Sequence, residues 1–414
     1  MQLRPHQQTA LKQVMHKLQT FGICYLAGEM RTGKTLVALH AASRIVKKGC
    51  ILFITKLLAK PDIQNQINQS GLDLNIVLIN YEQLHKINFI PSFIIYDEAH
   101  CLGMFPKPAK KTKIARLKFI GIPSLFLSGT PSPESYSQLF HQFWITGRGP
   151  WEAYKNFYKW VKDYVNVKSI YIGSGRPILD YSDAKPIVVE QFKQYKVAMT
   201  QEQAGFNGRI IEHIHAVETP EELKDIIHCL RKTRVYRPLD LIADTGTRLM
   251  SFLHQLYSGT VITNEGERIQ LFDHKIQYIK TAFSRKRIAI FYCFVAEGDM
   301  LRKHFHCTSD PIEFANSKSL VFISQVVSGR EGIDLSIADD LIFLNIPYSA
   351  TSYFQAKARS QSINGGDKRV HWLFSVAGIE NKIYNIILNK KVSYTLSHFK
   401  KDYEIKSNAR KISA

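Results

Sequence analysis

The sequence predicts an α/β protein built from two doubly wound parallel-sheet lobes with a helical and hairpin insertion between them. Three observations lead there. Short apolar runs alternate with helical patterns through residues 1–150 of the 414. The character changes at Trp151, where aromatic and basic residues crowd together, and the alternation returns from about Lys275. Near-continuous apolar runs mark strands buried on both faces, and strands separated by helices mark parallel sheets.

In the first lobe, residues 1–150, the strands are predicted at Ile23–Leu26, Ile51–Thr55, Ile76–Ile79, Phe93–Tyr96 and Leu125–Ser128. The insertion, residues 151–270, opens with a basic, aromatic helix over Trp151–Lys162. On it Tyr154, Phe157, Tyr158, Val161 and Tyr164 recur at helical spacing, the mark of a core face rather than of a base-stacking platform. Its lysines 155, 159 and 162 lie off that face. A hairpin follows, Ser169–Ile172 and Pro177–Tyr181 around a turn holding Arg176. A less regular helical stretch then runs to about residue 270, with a helix starting at Thr219-Pro220, Thr as cap and Pro first. The second lobe, residues 271–395, has strands at Ile288–Tyr292, Leu320–Ser324, Leu341–Asn345 and Val370–Ser375. A basic tail, 396–414, is expected to fray.

Composition narrows the function. Hydrophobic content of 45% fits a folded chain, and 55 Lys+Arg against 35 Asp+Glu leave a net charge of +20. Such a surplus points to a polyanionic partner, nucleic acid before an anionic membrane surface. No apolar run is long enough to span a bilayer and Met1-Gln2-Leu3-Arg4-Pro5 is no signal peptide, so a cytoplasmic protein without membrane contact is expected. The six cysteines are scattered with no C-x-x-C pair, which predicts buried free thiols and neither zinc site nor disulfide framework.

Gly28-Glu29-Met30-Arg31-Thr32-Gly33-Lys34-Thr35 spells G-x-x-x-x-G-K-[ST] between a predicted strand and a predicted helix. In that setting backbone N–H groups converge on phosphate oxygens, with Gly28 and Gly33 allowing close approach. Lys34 then reaches the β- and γ-phosphates, and the Thr35 hydroxyl ligands Mg²⁺. Asp97 and Glu98 of Asp97-Glu98-Ala99-His100 follow an apolar strand downstream of this loop. Nucleotide hydrolysis needs one acid for the metal, here Asp97, and one to orient or activate water, here Glu98. Ser128-Gly129-Thr130-Pro131 ends the next strand, and Ser128 and Thr130 fit a hydroxyl-rich link between the nucleotide and a polymer-binding face.

The order of these three motifs resembles that of superfamily 2 helicases and translocases, whose core is two RecA-like lobes. The second half agrees. Ser324–Leu335 resembles the S-x-x-x-x-G-x-x-G-[LI]-[ND]-L segment, and Gln355-Ala356-Lys357-Ala358-Arg359 the final arginine motif. Leu3-Arg4-Pro5-His6-Gln7 resembles the adenine-reading segment. Glu29-Met30, Asn80-Tyr81-Glu82-Gln83-Leu84, the Lys-Thr-Lys run after the acidic box and Leu253-His254-Gln255-Leu256 resemble the Swi/Snf-remodeller branch. The compact chain with Tyr348–Gln355 resembles small bacteriophage helicases.

This resemblance implies an ATP- and Mg²⁺-dependent DNA helicase or translocase, a monomer in the host cytoplasm if phage-encoded, that remodels branched or forked DNA in replication, recombination or repair. It assigns Gln7 to the adenine, Gly332, Asp334 and Gln355 to the nucleotide site, and Arg359 to the γ-phosphate. The family's second arginine is Ser362 here, so Arg359 acts alone, Arg330 or Arg369 substitutes, or hydrolysis is slow. That departure keeps a second reading open, an ATP-gated nucleic-acid clamp with weak or no hydrolysis. For a backbone track the candidates are Lys56, Lys107, Lys110, Lys111 and Lys113, with Arg116 and Lys118 further along. Arg176 belongs either to an ordinary surface hairpin or to a wedge that parts two strands.

Overall fold

The computed structural model describes residues 2–170, 178–206, 208–284, 286–326, 335, 337–349, 366–390 and 394–403. They fall into two compact units that divide between Gly205 and Phe206. Residues 151–205 therefore go with the first unit and 206–270 with the second.

The first unit holds a six-stranded parallel sheet in the order β3-β2-β4-β5-β1-β8. Its strands are β1 Ile23–Gly28, β2 Ile51–Thr55, β3 Ile76–Asn80, β4 Phe93–Tyr96, β5 Ser124–Ser128 and β8 Lys196–Met199. Alternate residues feed opposite cores, which is why the runs are apolar throughout. Ile23, Tyr25, Leu52, Ile54, Ile94, Tyr96 and Phe126 enter one core. Cys24, Leu26, Ile51, Phe53, Phe93, Ile95, Leu125 and Leu127 enter the other. Helices α1 Pro5–Phe21 and α2 Lys34–Ile45 cover the second face through Leu11, Val14, Val37 and Ala41; α3 Lys60–Ser70 adds Ile63. The first face is covered by α4 Lys110–Phe119, α5 Gln138–Trp144, α6 Phe157–Tyr164 and α7 Ile187–Lys193.

The aromatic segment packs as a core, with two changes. Its helix begins at Phe157, because Asn156 accepts from Lys159 N and caps it there. The buried face is Phe157, Trp160 and Val161, whereas Tyr158 is exposed. Trp160 meets Phe140, Trp151 and Tyr164 at ring separations of 5.2–5.5 Å. The hairpin pairs β6 Lys168–Ile170 with β7 Ile178–Asp180; its turn, with Arg176, lies outside the described residues.

The second unit repeats the design in the order β15-β16-β14-β17-β18-β9, again all parallel. The strands are β9 Ile210–Val217, β14 Ile288–Tyr292, β15 Cys307–Thr308, β16 Val321–Gln325, β17 Asp340–Phe343 and β18 Lys368–Ser375. Two small antiparallel pairs, β10 Val235–Tyr236 with β11 Leu241–Ile242 and β12 Thr260–Ile262 with β13 Arg268–Gln270, flank the sheet's helices. Those helices are α8 Glu221–Thr233, α9 Gly246–Leu256, α10 His274–Ala282, α11 Val295–His304, α12 Pro311–Asn316 and Ile379–Lys390. Phe291, Phe343 and Trp372 stack in one core. Ile290, Ile342 and Leu373 fill the other.

Four expectations are corrected here. Ile210–Val217 is a strand inside the stretch expected to be helical, and eight register pairs tie it to β18. The helix α8 starts at Glu221 with Pro220 as its cap, because the Thr219 hydroxyl donates to Val376 O instead. Leu396–Asp402 in the tail forms a helix with Phe399 fully buried, while residues 404–414 lie outside the described set. All six cysteines are free, but only Cys24 is buried by whole-residue exposure and the other five are half-buried. No helix among the described residues is long and apolar enough to cross a membrane.

Candidate active site

Three of the sequence motifs meet at one edge of the first sheet. Strands β4, β5 and β1 are neighbours, and parallel pairing puts their carboxyl ends side by side. Gly28 ends β1, Asp97 follows β4 and Ser128 ends β5. In open α/β sheets this is the edge where ligands bind.

The loop after β1 is tightly built. Gly33 has φ +84°, and a Cβ there would stand 2.0 Å from Gln7 Nε2. A Cβ on Gly28 would come within 2.7 Å of Lys34 Cγ. Both positions exclude side chains, as a backbone cradle for phosphate requires. Lys34 Nζ donates to Gly28 O at 2.8 Å and Glu29 O at 3.1 Å, so its ammonium is folded over the loop. The Thr32 hydroxyl donates to Glu29 O at 2.8 Å. Thr35 follows Lys34 in the first turn of α2, half-buried.

Gln7 braces this loop. Its Nε2 donates to Thr32 O at 3.2 Å and its Oε1 accepts from Arg4 N at 2.9 Å. A primary amide has two donor and two acceptor positions, so these bonds leave one of each for a base edge. His6 Nε2 lies 3.1 Å from the same Thr32 oxygen.

Asp97 is buried, and its Oδ2 accepts from the Thr55 hydroxyl at 2.6 Å. Its backbone N donates to Ile54 O at 2.8 Å, and its carbonyl accepts from Tyr81 OH at 2.5 Å. Glu98 adopts a left-handed backbone, φ +47° and ψ +47°. For a residue with a Cβ this costs about 1–2 kcal/mol, strain of the kind that collects at working sites.

His100 Nδ1 stands 3.1 Å from Glu98 Oε2 and 3.1 Å from Ser128 Oγ. Hydrogen-bond geometry is met by the serine, and the close contact with the glutamate is an ion pair. Burial opposes ionisation of Glu98, yet His100, Lys56 and Lys34 outweigh it and hold the carboxyl below its usual range. Burial also opposes charge on His100, but Cys101 and Glu98 lift it above the usual imidazole range. The result at neutral pH is a carboxylate beside an imidazolium. Ser128 Oγ accepts from Thr130 N at 3.1 Å as well, and Thr130 Oγ1 is a buried hydroxyl with no hydrogen-bond partner among the described residues. The acidic box and the Ser-Gly-Thr turn are thus joined through His100.

The groups present suit Mg²⁺ and a triphosphate. Thr35 and Asp97 offer hard oxygen donors, and the glycines keep the loop's backbone open to phosphate.

The basic candidates separate into two groups. Lys107, Lys110 and Lys113 are exposed at and before α4. Lys111 is half-buried, its Nζ 5.2 Å from the centre of the Tyr81 ring. Lys56 is half-buried after β2, and its charge acts on Glu98. Arg116 and Lys118 serve the fold: Arg116 donates to Trp144 O and lies 4.2 Å over that ring, and Lys118 donates to the His85 and Ile87 carbonyls.

Gly332, Asp334, Gln355, Arg359, Arg330 and Ser362 lie outside the described residues. Arg369, in β18 of the second unit, is described. Its Nε donates to Asp340 Oδ1 at 2.6 Å, at the amino-terminal edge of the sheet, away from the strands' carboxyl ends. At that carboxyl edge a buried network forms. Glu297 Oε2 accepts from Cys293 N and Phe294 N at 2.7 and 2.9 Å, and its Oε1 accepts from Asn345 Nδ2 at 3.0 Å. His254 Nε2 meets Asn345 Oδ1 at 2.6 Å, which gives the Leu253–Leu256 motif a structural role.

The sequence offered no sign of Thr55 as a site residue, held His100 only as the last member of the acidic box without a role, and marked Tyr81 only as part of a branch motif. Each acts through a neighbour distant along the chain.

No protein-family model matches this chain, and no curated protein does. Among solved structures it resembles the Hef helicase domain of Pyrococcus furiosus, 12% identical over 92% of this chain and 97% of that one, with a TM-score of 0.50. It also resembles the Sulfolobus solfataricus SWI2/SNF2 ATPase core in complex with dsDNA, 18% identical over 98% and 95%, with a TM-score of 0.42. The likeness to the Hef domain, with the two six-stranded parallel sheets, establishes the fold: two RecA-like lobes.

Proposed function

We propose that this chain is an ATP-dependent motor that moves on DNA, a helicase or translocase that remodels branched or forked DNA in phage replication, recombination or repair. The observation that carries the reading is the convergence of Gly28–Thr35, Asp97-Glu98 and Ser128 at adjacent strand ends, joined by His100.

In this reading Lys34, Thr35 and Asp97 hold Mg·ATP, the ion supplying charge neutralisation and Lewis acidity at the phosphates. The chain's own groups do the rest. The loop amides orient the phosphates, and Gln7 offers its remaining donor and acceptor to the adenine. Glu98, kept ionised by His100, Lys56 and Lys34, orients a water and accepts its proton. His100 passes the state of that site to Ser128 and Thr130. The family resemblance adds Gly332, Asp334, Gln355 and Arg359 to the residues that take the nucleotide. Lys56, Lys107, Lys110, Lys111, Lys113 and Arg176 take phosphates of the DNA backbone. The protein acts as a monomer in the cytoplasm, away from membranes.

The test is ATP hydrolysis by wild type and Glu98→Gln with single-stranded, duplex, forked and four-way DNA, and with RNA. Wild type should be strongly stimulated by DNA, most by branched forms. The variant should lose about 10²-fold or more of its turnover, the usual size of a general-base contribution. Equal rates with and without polynucleotide reject the motor. Ser362, where the family has an arginine, favours one other reading, an ATP-gated clamp. Nucleotide-dependent DNA binding without turnover would identify it.

A further inference from the structure

Asp97 is gripped at two points by residues outside the motifs that define the site. The Thr55 hydroxyl, wholly buried at the end of β2, donates to its carboxylate at 2.6 Å. The Tyr81 hydroxyl, just after β3, donates to its backbone carbonyl at 2.5 Å. On the face of the same tyrosine lies Lys111 of the basic helix α4, 5.2 Å from the ring centre. A carboxylate with one oxygen engaged by a fixed donor cannot rotate about its last bond without breaking that bond, so the other oxygen keeps its aim.

We propose that Thr55 and Tyr81 are positioning residues that hold Asp97 in its metal-binding pose, and that Lys111 couples this clamp to polyanion bound on α4. This rests on the reading of Asp97 as a Mg²⁺ ligand. Drawing Lys111 toward a phosphate takes its ammonium off the face of the tyrosine whose hydroxyl bonds Asp97 O. Nucleic acid on the helix thereby alters how the metal is held, with no side chain reaching from one to the other.

The test measures how Mg²⁺ concentration governs binding of a fluorescent ATP analogue to the full chain, with and without duplex DNA. Thr55→Val, which keeps the shape and removes the donor, should raise the half-saturating Mg²⁺ about tenfold, as loss of an outer-shell partner does. Thr55→Ser should restore it to within about twofold, and Mg²⁺-free nucleotide affinity should be unchanged in both. DNA should shift the half-saturating Mg²⁺ of wild type, and Tyr81→Phe should abolish that shift. The clamp is overturned if Thr55→Val keeps the wild-type Mg²⁺ dependence or if affinity falls equally with and without the metal. The coupling is overturned if DNA moves wild type and Tyr81→Phe alike, or neither. A wild type whose analogue binding responds to Mg²⁺ but which never hydrolyses ATP sinks the motor and leaves the clamp standing.

Discussion

Three histidines, His141, His254 and His274, are kept neutral at pH 7 by burial, which pulls each down to about 4. For His254 the opposing contributions of Glu380 and Asn345 are too small to reverse it. Its Nε2–H donates to Asn345 Oδ1, and its Nδ1 is buried without a partner among the described residues, so protonation would place a charge where none of them accepts it. The sign follows. Between an unfolded value near 6.5 and a folded value near 4, the unfolded chain holds the extra proton. Stability is then complete above about pH 6.5 and falls as pH drops toward 4, by about 1.4 kcal/mol per pH unit for each such histidine. Denaturant unfolding of wild type and His254→Gln at pH 7, 5.5 and 4.5 should show a shallower decline in the variant, despite lower stability at pH 7. Parallel declines would disprove the neutral assignment. At this same scale the site was half legible. Gly28, Gly33, Lys34, Asp97, Glu98 and Ser128 stand out because backbone chemistry forces fixed spacings on them. Thr55 meets Asp97 across 42 positions and His100 meets Ser128 across 28. Contacts of that kind are made by strand order, which no local pattern encodes.

Elements legible in the sequence were those buried on both faces. β2, β4 and β14 appear with the predicted bounds, and β1, β3, β5, β16, β17 and β18 differ by a few residues. The strands that escaped are the sheet edges. β9 reads Ile-Ile-Glu-His-Ile-His-Ala-Val, mostly half-buried or exposed, so it lacks the continuous apolar run that marks a central strand. β8 has four residues led by a lysine. Between elements, one internal tie stands apart. Lys275, at the start of α10, donates to Glu380 at 2.9 Å and to Leu344 O at 2.9 Å, with both charged side chains wholly inaccessible. It joins α10, the end of β17 and the helix Ile379–Lys390 behind the sheet. Removing one member leaves the other charge buried alone, so Lys275→Met should cost about 3–5 kcal/mol. Lys275→Met with Glu380→Leu should recover most of this, since an apolar pair of similar volume is often neutral. Thermal melting and hydrogen exchange of the second unit read the result. Equal losses in single and double variants would show that the helix contacts, and not the ion pair, matter there.

At the scale of the molecule, net charge is the property that joins the folded core to its proposed partner. A surplus of +20 spread evenly would give weak, diffuse attraction, but some cations are already committed internally. Arg116 and Lys118 hold carbonyls, Lys275 lies in the core, and Lys286 and Arg369 are paired to Asp340. The exposed group of Lys107, Lys110 and Lys113 is different, because α4 buries Thr112, Ala115 and Phe119 and turns Lys110 and Lys113 outward. Each phosphate neutralised on duplex DNA releases counterions and contributes about 0.9 to the slope of log K against log salt. Changing all three lysines to glutamine should therefore flatten that slope by about 2.7 and weaken binding regardless of sequence. Changing Arg116 and Lys118 instead should lower stability and leave the slope near its wild-type value. Fluorescence anisotropy of a labelled duplex between 50 and 300 mM salt, with melting temperatures alongside, separates the two. If the triple variant kept its slope while folded, the backbone track would have to run over another face, and α4 would lose its part in reporting DNA to Asp97 through Tyr81.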